Sequence, residues 1–173
     1  GSKTVKDRKL LLKTCYKIIF NSNWSKKRFL EGLENKFVNS NKLVVFFQSA
    51  KKNDISILNH KQNWITFVGK LNRAKGYDIF VKTINRILNK YPNWKAKIIG
   101  DEKREKITLN HKNADVLGFL GHEEVLKIFK KTSIAVACSR WEEPFGRTSL
   151  EASASGCAVA VSYTHLRAHE TSI

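Results

Sequence analysis

Methionine is absent from the 173 residues, and only two prolines and three cysteines occur. Without methionine there is no initiator, and Gly1-Ser2 opens no signal-peptide pattern, so the chain is expected to begin downstream of its gene's own start. Cys15, Cys138 and Cys157 are odd in number, form no CxxC pair and sit in or beside apolar stretches. That argues against a disulfide framework or a zinc ribbon and points to a reduced, cytosolic compartment. Long apolar runs are also missing. The longest reach about five residues, as in 43–47, against the roughly 20 needed to span a bilayer, so no transmembrane helix is expected. Acidic residues are scarce: 15 Asp and Glu face 32 Lys and Arg, a net charge of +17. Yet 42% of residues are hydrophobic and 10% aromatic, too apolar for a disordered basic tail. The length suits one compact domain, or a domain with an appendage. Of the basic residues 24 are lysine and 8 arginine, amid many Asn and Ile, the bias of AT-rich codons. Part of the positive charge is therefore background rather than selection for a polyanion.

The pattern of the chain is β-to-α steps. Residues 3–12 read as a basic, Leu-rich helix, 16–20 as a short strand, 24–33 as an amphipathic helix after the capping run Asn21-Ser22-Asn23, and 43–47 as a second strand. Residues 49–62 have neither period nor hydrophobic density and read as a linker. A regular alternation follows: strand 64–68, glycine-bounded loop 69–76, helix 77–90 with Phe80, Ile84, Ile87 and Leu88 inward, strand 95–99, strand 115–117, helix 123–130, strand 133–137, helix 146–155 and strand 158–161. Strands that are apolar throughout, separated by helices, predict a parallel sheet covered on both faces. The expected fold is a Rossmann-like α/β domain with ligands at the carboxyl ends of its strands.

Two segments at strand ends carry chemistry. In Glu143-Pro144-Phe145-Gly146-Arg147-Thr148-Ser149-Leu150-Glu151, two carboxylates flank a loop-to-helix junction. The spacing predicts Glu143 at the mouth of a site and Glu151 about a turn and a half into the helix, bracketing one ligand. The backbone N–H groups of Phe145, Gly146 and Arg147 are expected as first-turn donors, a phosphate site at the positive end of the helix. An isolated pair of this spacing would be two solvated acids; its position directly after strand 133–137 argues otherwise. The second segment, Gly69-Lys70-Leu71-Asn72-Arg73-Ala74-Lys75-Gly76, sets three cations between two glycines. Lys70 and Lys75 can charge-match a diphosphate, and glycines would let the backbone approach it.

Taken with Ile98-Ile99-Gly100-Asp101, Val116-Leu117-Gly118-Phe119, Ser139-Arg140-Trp141-Glu142-Glu143-Pro144-Phe145-Gly146 and Leu150-Glu151-Ala152…Gly156, these segments resemble the nucleotide-sugar half of GT-B glycosyltransferases. The resemblance is to the retaining group known as family 4, or glycosyltransferase group 1, and covers about residues 14–162. It implies that Lys70 and Lys75 hold the donor diphosphate, Glu143 contacts the transferred sugar and Glu151 holds the ribose hydroxyls. Phe145 and Gly146 would present backbone donors to phosphate, and the loop at Leu117-Gly118 would border the base. Lys70 departs from the arginine usual in the family, keeping the charge but losing the two-pronged geometry. No Asp-x-Asp motif occurs, consistent with cations and a helix dipole in place of a metal. No metal and no cofactor are expected beyond the nucleotide-diphosphate sugar, which is substrate.

The resemblance divides the chain into an acceptor-side remnant over 1–48, the linker 49–62 and a truncated nucleotide-sugar domain over 63–162. Residues 161–171 resemble one reading frame of a transposon-end adapter used for sequencing libraries, so 163–173 are expected to be non-native. His165 and His169 therefore make no metal site. The expected protein is a fragment of a transferase that binds nucleotide weakly and lacks a complete acceptor site, the acceptor being a glycan or a lipid-linked molecule. A basic nucleic-acid-binding module is the alternative suggested by the +17 charge. Against it, the basic residues are dispersed, no nucleic-acid-binding motif appears, and no specific nucleic acid is expected as partner. The basic region 3–27 could also touch an anionic inner membrane on its cytoplasmic face.

Overall fold

The computed structural model describes residues 4–38, 40–50, 61–141, 143 and 145–162. The described residues divide into two compact units, up to Ser49 and from Ala50 onward. Most of the expected linker, residues 51–60, and the expected non-native tail 163–173 lie outside the described residues.

In the first unit, helix α1 (Val5–Thr14) starts at Thr4, whose hydroxyl accepts from Asp7 N while Asp7 accepts from Thr4 N. This reciprocal capping box explains why the helix begins later than the basic run alone suggests. Strand β1 (Ile18–Phe20) pairs in parallel with β2 (Leu43–Val45), and helix α2 (Asn23–Leu30) lies between them in sequence, capped by Ser22. Leu12, Phe20 and Leu43 form its small core, with Phe29, Leu30 and Leu33 packed on them. The expected second strand is shorter than its apolar run: Phe46 and Phe47 follow β2 and are exposed. No helix among the described residues is long and apolar enough to cross a membrane.

The second unit is a parallel α/β sheet. Strand β3 (Gln62–Val68) leads to helix α3 (Tyr77–Lys90), then β4 (Lys95–Ile99), β5 (Ala114–Val116), helix α4 (His122–Lys131), β6 (Thr132–Ala137), helix α5 (Arg147–Ala154) and β7 (Ala158–Val161). The spatial order is β5-β4-β3-β6-β7, all parallel. Gln62 belongs to β3 rather than to a linker. Alternate residues of the central strands feed opposite cores. Ile65 and Phe67 pack with Tyr77, Phe80, Ile84 and Leu88 of α3 on one face. Ala135 packs with Val125, Leu126, Phe129 and Ala152 of α4 and α5 on the other. Burial of both faces is why these strands read as continuous apolar runs.

Two polar features tie the layers. Thr66 and Thr132 are fully buried, their hydroxyls 2.7 Å apart, and Thr132 donates to the Ile128 carbonyl at 2.9 Å, so both hydroxyls are satisfied without water. Lys61, immediately before β3, donates from Nζ to the carbonyls of Phe129, Lys130 and Ser155 at 3.1, 2.8 and 2.6 Å. One ammonium thus bridges carbonyls at the ends of α4 and α5, where a cation also complements the helix dipoles.

Candidate functional site

The order of strands reverses between β3 and β6: β4 and β5 follow β3 on one side, and β7 follows β6 on the other. A crevice must open outside the carboxyl ends of strands at such a point. It does, as a small open cleft lined by Phe67, Val68 and Gly69 at the end of β3, Ala137, Cys138 and Ser139 at the end of β6, and Gly146, Arg147, Thr148 and Ser149 at the start of α5, with Lys75 and Glu143 at its edge.

The two loops around the cleft are knitted together by groups far apart in sequence. Arg140 makes a two-pronged ion pair with Asp78 at 2.6 and 2.9 Å and donates to the Arg73 carbonyl at 2.8 Å. The backbone N–H groups of Arg140 and Trp141 both reach the Ala74 carbonyl, at 2.9 and 3.1 Å. The Asn72 side chain accepts from Lys75 N at 3.0 Å and donates to Glu102, whose carboxyl is held down to about 2 chiefly by the Arg104 N–H and this amide. Gly76 lies in the left-handed region at φ 71°, and a Cβ there would stand 1.9 Å from the Cys138 carbonyl oxygen. The glycine expected to admit an anion instead admits the end of β6.

Lys75 forms an ion pair with Glu143, and both side chains are mostly shielded from solvent. Burial, and then the like charge of Lys70, push the Lys75 ammonium below the ordinary lysine value. Lys70 itself is exposed just past β3 and does not line the cleft. Cys138 lines the cleft, its thiol donating to the Gly76 carbonyl at 3.1 Å and pushed up by burial.

The start of α5 departs from expectation. Gly146 is the cap, at φ 76° and ψ 45°, and the helix proper begins at Arg147. The first-turn amides are therefore those of Arg147, Thr148 and Ser149, not Phe145 and Gly146, because a left-handed residue ends the preceding loop instead of joining the helix. Phe145 is buried, at 5% exposure, and Gly146 lines the cleft. Glu151 sits on α5 outside the cleft lining, its Oε1 accepting from Arg147 Nε at 2.6 Å and meeting His122 Nε2 at 3.0 Å. Leu117 and Gly118 lie past the end of β5, their backbones bonded to Ile98 and Gly100, and do not line the cleft. Thus Lys75, Glu143 and Gly146 come together, while Lys70, Glu151, Leu117 and Gly118 stand around them. Among the described residues no three His, Cys, Asp or Glu side chains are grouped so as to hold a metal ion.

The pattern of residues missed Asp78, Arg140, Asn72, Ser139 and His122. Arg147 alone was readable as a partner, four residues before Glu151 on a helix.

Residues 48–170 match the family described as Glycosyl transferases group 1. The lipopolysaccharide core biosynthesis mannosyltransferase LpcC of Rhizobium leguminosarum bv. viciae is 35% identical over 104 residues, 54% of this chain and 29% of that protein. The crystal structure of Anabaena Alr3699/HepE in complex with UDP and glucose matches 92% of this chain and 48% of its own with a TM-score of 0.71 at 16% identity. The C-terminal domain of the glycosyl transferase group 1 family protein LpcC from Francisella tularensis matches 71% of this chain and 74% of its own, with a TM-score of 0.58 at 22% identity. The chain spans 27% to 34% of the length of the curated relatives it matches. The five-stranded parallel sheet is the Rossmann-like domain of a GT-B fold, and the chain belongs to the glycosyl transferases group 1 family.

Proposed function

We propose that the second unit binds the nucleotide-diphosphate sugar of a glycosyltransferase, and that in the complete protein the sugar passes to a glycan or lipid-linked acceptor with retention of configuration and without a metal. The observation that carries this reading is the Lys75–Glu143 pair at the edge of a cleft into which the first turn of α5 opens. A cation, a carboxylate and uncapped amides are there grouped at a topological switch point. Structural neighbours support the donor class: those matched include structures holding UDP and UDP-glucose.

In the proposed complex the diphosphate competes with Glu143 for Lys75. The ammonium has three donors and can hold both, and the α5 amides take further phosphate oxygens. Lys70 adds charge from outside the cleft. Glu143, relieved of part of its ion pair, accepts from a hydroxyl of the sugar. Glu151 takes the ribose hydroxyls, Gly146 lets the backbone approach the phosphate, and the turn at Leu117-Gly118 borders the base. In transfer, the bond from the anomeric carbon to the diphosphate oxygen breaks with its electron pair going to the diphosphate. The acceptor oxygen forms the new bond, and its proton passes to the departing diphosphate or to solvent. Charge accumulates on the leaving group, where fixed cations and N–H dipoles stabilise it most.

Titrating the chain with UDP, GDP and ADP, beside a short DNA duplex at two salt concentrations, tests the reading. Saturable diphosphate binding that Lys75→Ala and Glu151→Ala both weaken is expected. Salt-sensitive DNA binding with no diphosphate binding would support the nucleic-acid module instead.

A further inference from the structure

Glu151 receives both of its hydrogen bonds on one oxygen. Arg147 Nε and His122 Nε2 stand 2.6 and 3.0 Å from Oε1, and among the described residues Oε2 has no partner. A carboxylate only accepts, so His122 must present Nε2–H, whether neutral or charged. Two N–H donors fill the two lone pairs of Oε1 and leave Oε2 as the remaining acceptor on a side chain still 15% exposed. The two donors come from different helices. Arg147 opens α5, and His122 is the first residue of α4, whose cap is fixed by Glu124 accepting from Gly121 N at 3.0 Å. His122 is 49% exposed, so it contributes little to the core and its replacement should leave the fold intact.

We propose that His122 is a positioning residue for the nucleotide: with Arg147 it saturates Oε1 and locks Glu151 so that Oε2 accepts from a ribose hydroxyl of a nucleoside diphosphate. This deepens, and rests on, the reading of Glu151 as the ribose contact. A glutamate free to rotate would spread its acceptors over several geometries and pay the ordering cost at each binding event; the clamp removes that cost beforehand.

The test is calorimetric titration of the 173-residue chain, H122A and H122Q with UDP and its 2′-deoxy and 3′-deoxy analogues, with melting temperatures alongside. The same sets are run for guanosine and adenosine diphosphates. A hydrogen bond to a charged group implies that the unmodified chain prefers the ribonucleotide over at least one analogue by about tenfold or more. H122A is expected to shrink that preference severalfold without lowering the melting temperature. H122Q, whose amide nitrogen can reach the place of Nε2, is expected to restore it. If H122A keeps the full preference, or H122Q does no better than H122A, the role of His122 falls while the ribose reading stands. If the unmodified chain binds a diphosphate with no preference for either hydroxyl, or binds none, the ribose reading falls and the proposal with it.

Discussion

Helices α3 and α5 start in the same way and face opposite surroundings. Each follows a left-handed glycine, Gly76 at φ 71° and Gly146 at φ 76°, and neither cap has a side-chain hydrogen bond. At Gly76 the space a Cβ would occupy is already taken by the Cys138 carbonyl; at Gly146 nothing lies within 4 Å. The helices differ accordingly. α3 runs 14 residues and buries Tyr77, Phe80, Ile84 and Leu88, whereas α5 runs eight and buries Ala152. One glycine closes the protein on itself, and the other leaves a helix start open to the cleft. Backbone conformation alone does not assign a role to a glycine; what stands opposite does.

The largest effect expected from breaking this comparison is that of Gly76→Ala. Left-handed strain of about 1–2 kcal/mol adds to a collision with backbone, so a loss of about 3 kcal/mol or more should appear in the denaturant midpoint. Next comes Lys75→Ala, expected to weaken diphosphate binding about 10- to 100-fold in titration, the range for a charged hydrogen bond. Lys75 also predicts a pH limb. Its ammonium lies below the ordinary lysine value, so affinity that depends on it is full at lower pH and declines as pH rises through that lowered value. Lys75→Arg should move the decline upward. Gly146→Ala should cost only the left-handed strain, about 1–2 kcal/mol, while changing diphosphate affinity more than Gly76→Ala changes it in whatever fraction remains folded. Equal destabilisation by the two alanines would dissolve the distinction between the caps.

The smallest effect concerns the loop that holds Gly76 against Cys138. Arg140 keeps the Asp78 carboxyl below its usual range, so the stabilisation is complete above the unfolded carboxyl's value near pH 4 and is lost as pH falls through the lowered one. Arg140→Ala should therefore narrow the difference in melting temperature between pH 7 and pH 3. An unchanged difference would remove the pair from the account.

The alternation of strands and helices was legible because both faces of the central strands are covered, leaving stretches such as 64–68 of β3 and 134–137 of β6 mostly apolar between helical patterns. Boundaries were less so. Thr4 and Asp7 shift α1, and the left-handed Gly146 delays α5, through hydrogen bonds and torsions that hydrophobic spacing does not encode. In the site, Glu143 and Lys75 were readable as charged residues at strand ends, yet nothing in the sequence paired them across 68 positions. Asp78 with Arg140, 62 positions apart, and His122 with Glu151, 29 apart, likewise exist only once parallel strands bring their loops side by side. A single sequence carries local preference along the chain; these contacts depend on strand order, which neighbouring residues do not specify.

The Lys61 tie has a consequence for the time course of folding. Its three carbonyl partners are 68, 69 and 94 residues downstream, so the contact closes long loops, the last of them spanning most of the second unit. Closing such loops is slow compared with forming a helix, and parallel sheets built from them belong to the slower class of folders. During synthesis Lys61 emerges early but waits for Ser155, with β3 already made and its later neighbour β6 still to come. A nascent chain stalled before α5 would hold this ammonium by its two α4 carbonyls alone, without Ser155, and Lys61→Ala should slow the last folding phase more than it alters the first.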